Sequence, residues 1–292
     1  MKNELLVSVH MITYGHEAYI KQAIESVLMQ ETDFEFDLII ADDCSPDKTP
    51  EIINEIIKTN PKSFRIKYFR HLENMGMHKN GIFAFSKCTG KYFAICEGDD
   101  YWTDPLKLQK QVDFLESHEE FSLVCHDALK INEMTNTSSL FFGPTKKKQI
   151  CSTKDALNVH FCPTDSILFR REAILPLSDF NLIAEAGDQA LVQFLSLHGL
   201  LYRMYDVMSV YRKTATGASE VNRRDLEGSL EKRINSLNNL NKISNYKYQK
   251  YIRIENLFIK NRIDLLRSKS KAGTATLKIY RKVLSAVKKI IN

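Results

Sequence analysis

Apolar and polar positions follow two periods along the first 120 residues. Nearly continuous apolar runs stand at residues 5–11, 36–41, 64–69 and 92–96. Runs of this length bounded by turn residues predict buried strands. Between them the apolar positions recur at helical spacing. Ile20, Ile24, Val27 and Leu28 form one such set, and Ile52, Ile53, Ile56 and Ile57 form a second within residues 50–58. Residues 80–87 predict a third helix, and residues 105–117, with Leu106, Leu108, Val112 and Leu115 inward, a fourth. Alternating strands and helices predict a parallel sheet covered on both faces. The second half is mixed: a strand at 121–126, a strand-like segment at 165–170, a helix over 187–200 and an extended stretch over 201–211. Beyond Ser219 the pattern is helical and basic. Residues 135–149, polar with Gly143-Pro144 and three lysines, read as a mobile loop.

Composition narrows the class. The 292 residues are 43% hydrophobic and 26% charged, which predicts a soluble globular chain long enough for a sizeable core. A net charge of +5, with no compact basic stripe before the C-terminal region, argues against nucleic acid as a partner. Cys44, Cys88, Cys96, Cys125, Cys151 and Cys162 show no CxxC pair, which disfavours a zinc site. The opening residues turn polar too quickly for a secretory segment, and no run approaches the roughly 20 apolar residues of a membrane span. The expectation is a cytoplasmic protein with reduced thiols.

The chemistry concentrates at predicted strand ends. Glu97, Asp99 and Asp100 place three carboxylates within four residues, directly after the 92–96 strand. Crowding like charges raises carboxylate pKa values, and a hard divalent cation relieves it. The alternative is a solvated acidic turn. Residues 13–17 and 42–47 fall at the same end of the sheet, where open α/β sheets bind ligands. No GxGxxG or P-loop follows the first strand, which excludes the common dinucleotide and P-loop classes. Asp42 could accept from a uracil N–H while Tyr14 stacks on the base, or Asp42-Asp43 could cap the next helix, a role that suits Asp47 better. Asp188, ahead of an apolar helix, is either an N-cap or a general base for a weakly acidic hydroxyl. Residues 211–219 either close over a diphosphate or form a surface loop, and His126 reads as a core histidine.

Together these residues resemble family 2 glycosyltransferases, the inverting group with the GT-A fold. The matching segments are Val7-Ser8-Val9, Thr13-Tyr14, Tyr19-Ile20 and Ser26-Val27-Leu28 with Gln30, then Ile39-Ile40 with Asp42-Asp43, Ser45, Asp47 and Thr49. Asn74 with Gly76, Gly90-Lys91-Tyr92 and the 97–102 turn follow in the same order. The resemblance spans residues 5–219 and is most specific in the N-terminal third. It implies a mixed, mainly parallel α/β sheet flanked by helices over residues 1–219, with a basic helical region over 220–292. It implies nucleotide-sugar contacts from Thr13, Tyr14, Glu17, Asp42, Asp43, Asn74, Gly76, Lys79, Glu97, Gly98, Asp99 and Arg212, with UDP as the expected nucleotide. Asp99, with Glu97, would hold Mn²⁺ or Mg²⁺, and Asp188 would activate the acceptor. There are departures. Gly15 stands where asparagine is usual, and Thr214 where many relatives have histidine. Glu97 replaces an aspartate, so its metal contact can run through water or the ribose.

The implied reaction is transfer of a sugar to a hydroxyl of a glycan or lipid-linked acceptor in surface polysaccharide synthesis. The rival readings are a sugar nucleotidyltransferase, which lacks its glycine-rich lysine loop here, and a non-catalytic nucleotide-sugar-binding or membrane-associated protein. Near the C-terminus, Ile279, Tyr280, Val283, Leu284, Val287 and Ile291 share one helical face opposite lysines and arginine. Such a helix lies on an anionic inner-membrane face, or packs on the catalytic domain or on a second copy of the chain.

Overall fold

The computed structural model describes residues 5–143, 148–157, 161–215, 217, 220 and 224–267. The 279–291 helix expected from the sequence lies outside the described residues. Four β–α units open the chain: β1 (Leu5–Thr13), α1 (Ile20–Leu28), β2 (Glu35–Asp42), α2 (Thr49–Thr59), β3 (Ile66–Arg70), α3 (Met77–Lys87), β4 (Tyr92–Ile95), a short β5 (Tyr101–Trp102) and α4 (Lys107–Ser117). There follow β6 (Phe121–Asn132), β7 (Thr137–Leu140), β8 (Ile150–Cys151), α5 (Thr153–Ala156), β9 (Leu168–Arg170), α6 (Leu177–Asn181), α7 (Asp188–Leu195) and β10 (Leu200–Lys213). Two helices close the described chain, here α8 (Leu226–Ile243) and α9 (Gln249–Arg267).

One sheet runs in the order β3-β2-β1-β4-β9-β6-β10-β5. The β3, β2, β1 and β4 ladders are parallel, as is β6 with β10, while β9 pairs antiparallel with both β4 and β6. β1, β2 and β4 read as nearly continuous apolar runs because both of their faces are covered, as in the interior of a parallel sheet. Alternate residues sort to opposite sides. Ile39, Phe93, Ile95, Cys125 and Phe169 join one core with α3, α7, α8 and α9, while Leu38, Ile40, Ala94, Val124 and Leu168 join the other with α1, α2 and α4. Leu230, Leu237 and Leu240 of α8 and Ile252, Ile259 and Ile263 of α9 are buried in the first core. The C-terminal helix pair therefore shares its core with the sheet.

The segment expected to be a mobile loop at 135–149 is partly strand. Residues 137–140 pair antiparallel with β6, from Leu129↔Leu140 to Asn132↔Thr137. Its side chains are all exposed, so the apolar alternation that marks a half-buried strand is missing. Residues 144–147 lie outside the described set. All six cysteines are free. Among the described residues no helix is long and apolar enough to cross a membrane.

Candidate active site

Register sets the site. Thr13 pairs with Asp42, and Asp42 with Arg70, so β1, β2 and β3 end in one row. On the other side of β1, His10 pairs with Ile95, and beyond that pairing the Gly98 N–H donates to the Ile12 carbonyl at 3.1 Å. The acidic turn is thereby laid against the end of β1. A side chain at position 98 would meet Thr13 Oγ1 at 2.8 Å and His16 Nδ1 at 2.8 Å, so only glycine lets the turn approach this closely.

One oxygen from each of Glu97, Asp99 and Asp100 lies within 4.8 Å of the others. Glu97 is pushed well above the usual carboxylate range, first by burial and then by Asp99, Asp188 and Asp165. Asp100 is raised likewise by burial, then by Asp165 and Asp99. Asp100 Oδ1 accepts from the Arg212 N–H at 2.6 Å, while Oδ2 is buried without a hydrogen-bond partner among the described residues. A buried, orphaned carboxylate oxygen beside two further carboxylates fits a hard divalent cation.

Asp188 stands at the start of α7, but it is the first helical residue. Gly187, at φ +73°, is the N-cap and supplies no side-chain cap. The Asp188 carboxylate accepts from the Thr164 hydroxyl at 2.8 Å and from the Gln189 N–H at 2.7 Å. Glu97, Thr164, Asp188 and Tyr211 line one cavity of about 420 Å³.

The other expected residues form an adjoining loop system. Tyr14 is half exposed beside β1. Asp42 is fully buried: Oδ1 accepts from the Ser45 N–H and Oδ2 from the Tyr68 hydroxyl, both at 2.8 Å. A direct contact from Asp42 to a base would need Tyr68 to move aside. Asp43 receives the Met75 and Gly76 N–H groups at 2.8 and 2.9 Å, and Gly76 takes φ +89° to present the second. Asn74 also accepts from the Gly76 N–H, at 3.1 Å. Glu17 Oε2 accepts from the Lys48 N–H, while Asp47 accepts from the Glu17 and Thr49 N–H groups. Lys79 is exposed on the first turn of α3. Thr214 is buried just past β10.

Arg212 is turned toward the acidic loop. Its Nη1 donates to the Asp99 carbonyl at 2.7 Å, Nη2 reaches Gln22 Oε1, and its guanidinium lies 4.4 Å from the Tyr101 ring. Sequence reasoning missed three neighbours. His16 Nε2 lies 4.0 Å from Asp99 Oδ2. Below the turn, Lys107 is fully buried over Trp102, and burial lowers its pKa to about 7. Asp165, whose carbonyl accepts from Trp102 Nε1 at 2.8 Å, is raised by burial to about 6, with Ser209 and Lys107 pulling it back. His16 falls within the 13–17 loop that the sequence marks, whereas the signal for Lys107 is the i, i+4 spacing that lets it donate to Gln111 at 2.7 Å.

The family model for Glycosyl transferase family 2 matches residues 8–175. An uncharacterized protein of Mycobacterium tuberculosis is 35% identical over 211 residues, covering 72% of this chain and 60% of its own. The chain thus spans about three fifths of that relative's length. A Bacillus subtilis glycosyltransferase, TuaG, whose name assigns it provisionally to teichuronic acid biosynthesis, is 28% identical over 152 residues, covering 50% of this chain and 58% of its own. Staphylococcus aureus TarS 1–349 with UDP-GlcNAc superposes with a TM-score of 0.64 at 18% identity, over 88% of this chain and 72% of that one. A Pyrobaculum calidifontis mannosyltransferase with GDP-Man and Mn²⁺ gives 0.60 at 15% identity, over 95% and 79%. At such identities the likeness shows the fold, the GT-A architecture.

Proposed function

The chain belongs to glycosyl transferase family 2, and from that membership we propose an inverting, metal-dependent hexosyltransferase. It moves a sugar from a nucleoside diphosphate sugar, with UDP as the nucleotide, to a hydroxyl of a glycan or lipid-linked acceptor in surface polysaccharide synthesis. The observation that carries the reading is one cavity shared by Glu97 and Asp188, with Asp99 and Asp100 clustered beside Glu97. The solved neighbours bound to UDP-GlcNAc and to GDP-Man with Mn²⁺ support the donor class, and TuaG supports the pathway.

Each residue then has a task. Tyr14 offers its ring face to the base, with Thr13, Glu17, Asp42, Asp43, Asn74, Gly76 and Lys79 shaping or touching the nucleotide from the surrounding loops. Asp99 and Glu97 would hold Mn²⁺ or Mg²⁺, which would supply positive charge to the departing diphosphate. Gly98 keeps the turn against Thr13. Arg212 holds the Asp99 backbone, which fixes the carboxylates before the donor arrives. Thr164 and the Gln189 N–H orient Asp188, which takes the acceptor proton as the hydroxyl attacks the anomeric carbon opposite the leaving group. One displacement inverts the anomeric centre, and no covalent enzyme intermediate is needed.

A thermal-shift series with UDP, GDP and dTDP in Mn²⁺ tests the binding half, because a ligand selective for the native state raises Tm. At least one diphosphate should stabilise the chain, and excess chelator should remove the effect. Stabilisation by none of them overturns the reading. Release of nucleoside diphosphate on adding acceptor separates an enzyme from a non-catalytic binding protein.

A further inference from the structure

The cavity beside Asp188 has unlike walls. One carries Glu97, Thr164, Asp188 and Tyr211, groups suited to hydroxyls and phosphate. The other is built from Ile82 and Phe85 of α3, Phe180 of α6, Ala184, and Leu191 of α7. Phe85 and Phe180 meet edge-on with centroids 6.1 Å apart. Two imidazoles also line the cavity. His10 stacks on Phe85 at 4.0 Å, its Nε2 lies 3.1 Å from the Gly81 carbonyl, and its Nδ1 is buried without a hydrogen-bond partner among the described residues. His78 is half-buried, and burial lowers its pKa below the usual histidine value. Burial lowers His10 to about 4, so it is uncharged at neutral pH.

A sugar hydroxylated at every ring position would press a hydroxyl against this carbon wall. An unpaired buried hydroxyl opposes binding, whereas a methyl group favours it. We propose that the cavity selects a sugar carrying a methyl-bearing substituent, as N-acetyl and 6-deoxy sugars do, on the donor or on the acceptor. This rests on the transferase reading of the same site. That reading fixes the polar wall as the reaction centre, and the apolar wall then decides which sugar fits there.

The test uses the full chain with Mn²⁺ and calorimetric titration. UDP, GDP and dTDP are titrated first. Matched donors follow: UDP-glucose against UDP-N-acetylglucosamine, GDP-mannose against GDP-6-deoxymannose, and dTDP-glucose against dTDP-6-deoxyglucose, each pair keeping one ring configuration. For the nucleotide that binds, the methyl-bearing sugar should bind at least about tenfold more tightly than its hydroxylated counterpart. If the matched donors bind alike, the same preference should appear in the acceptor arm. There glucose, N-acetylglucosamine and 6-deoxyglucose are titrated onto the chain with nucleoside diphosphate bound. Ile82→Asn, at a half-buried position, should erase the preference and leave nucleoside diphosphate affinity unchanged. A bound diphosphate without sugar preference in either arm overturns the inference and leaves the transferase reading standing. So does a preference that survives Ile82→Asn. Failure of all three diphosphates to bind removes the transferase reading itself.

Discussion

Two acidic loops flank β1, one after β2 and one after β4, and their carboxylates are treated in opposite ways. In the 42–47 loop every carboxylate is satisfied by the protein: Asp42 by Ser45 and Tyr68, Asp43 by Met75 and Gly76, Asp47 by Glu17 and Thr49. These groups are struts that hold neighbouring loops in place. In the 97–100 turn the carboxylates face one another, and one Asp100 oxygen lacks a hydrogen-bond partner among the described residues. Acidity at a strand end therefore does not by itself mark a cation site. The two loops differ in how many donors are aimed at each oxygen.

The largest effects should come from the turn and its partner across the cavity. Asp99→Asn should lower turnover by on the order of 10³-fold or more and abolish metal-dependent nucleotide binding, since it removes a ligand to transition-state charge. Full activity in excess chelator would contradict the assignment. Asp188→Asn should lower kcat by roughly 10²–10⁴-fold with donor affinity nearly unchanged, the range of a lost general base. A loss below about tenfold would return Asp188 to a structural role, held by Thr164.

A strut should fail differently. Asp43→Asn leaves one acceptor oxygen for two backbone donors, at a cost of roughly 1–3 kcal/mol, so Tm should fall by several degrees with or without metal. In chelator, Asp99→Asn should match or exceed the wild-type Tm, because it thins a crowd of like charges. If both substitutions lower Tm equally in chelator, the contrast between the loops does not hold.

Acidity should separate the loops too. Burial and neighbouring carboxylates raise Glu97 and Asp100. For Asp47 burial works upward, but hydrogen bonds from Thr49 and Glu17 outweigh it and leave the group below its usual range. A folded-state pKa above the unfolded one gives stability that is present at low pH and lost as pH rises through the folded value. In chelator, the turn's contribution should therefore decline as pH rises through the window above the ordinary carboxylate range. Asp47's is lost only in acid, as pH falls through its depressed value. Tm measured across that window should slope downward, less steeply in Asp100→Asn and less steeply with Mn²⁺. An unchanged slope in the variant would remove Asp100 from the effect.

The first half of the fold was readable because β1, β2 and β4 are buried on both faces, while the edge strand β3 is only half-buried and each helix buries one face. Boundaries shifted where a backbone feature intervened: α3 starts at Met77, directly after the positive φ of Gly76. The 137–140 strand was illegible because an exposed edge strand carries no apolar signature. The acidic turn and Asp188 stood out as chemistry in the sequence, but their partners did not. Nothing local marks Lys107 as buried, His16 as a neighbour of Asp99, or Arg212 as a brace on the turn's backbone. Those relations exist only after β1 pairs with β4, β10 pairs with β5 and β6, and α4 packs against β6 and β9.

The smallest predicted effect tests how that brace is anchored. Arg212 lies 3.8 Å from Glu133, whose Oε2 accepts from the Tyr19 hydroxyl at 2.7 Å. Glu133 is substantially exposed, and an exposed pair of this kind contributes roughly 0–1 kcal/mol. The stronger hold on Arg212 is its bond to the Asp99 carbonyl, reinforced by Gln22 and the Tyr101 ring. Glu133→Gln keeps an acceptor for Tyr19 and removes only the charge. Metal affinity should change by less than about threefold, within the range of a lost surface pair. Arg212→Gln, which loses the bond to the turn, should weaken metal binding more. The same variant reports on itself, because the hydrogen bond to Glu133 leads the causes that push Tyr19 up to about 12. Without that negative charge, the ultraviolet titration of Tyr19 should move down toward the ordinary tyrosine range. If Tyr19 shifts and metal affinity falls as far as in Arg212→Gln, the brace runs through Glu133. The exposed rim would then set the geometry of the acidic turn.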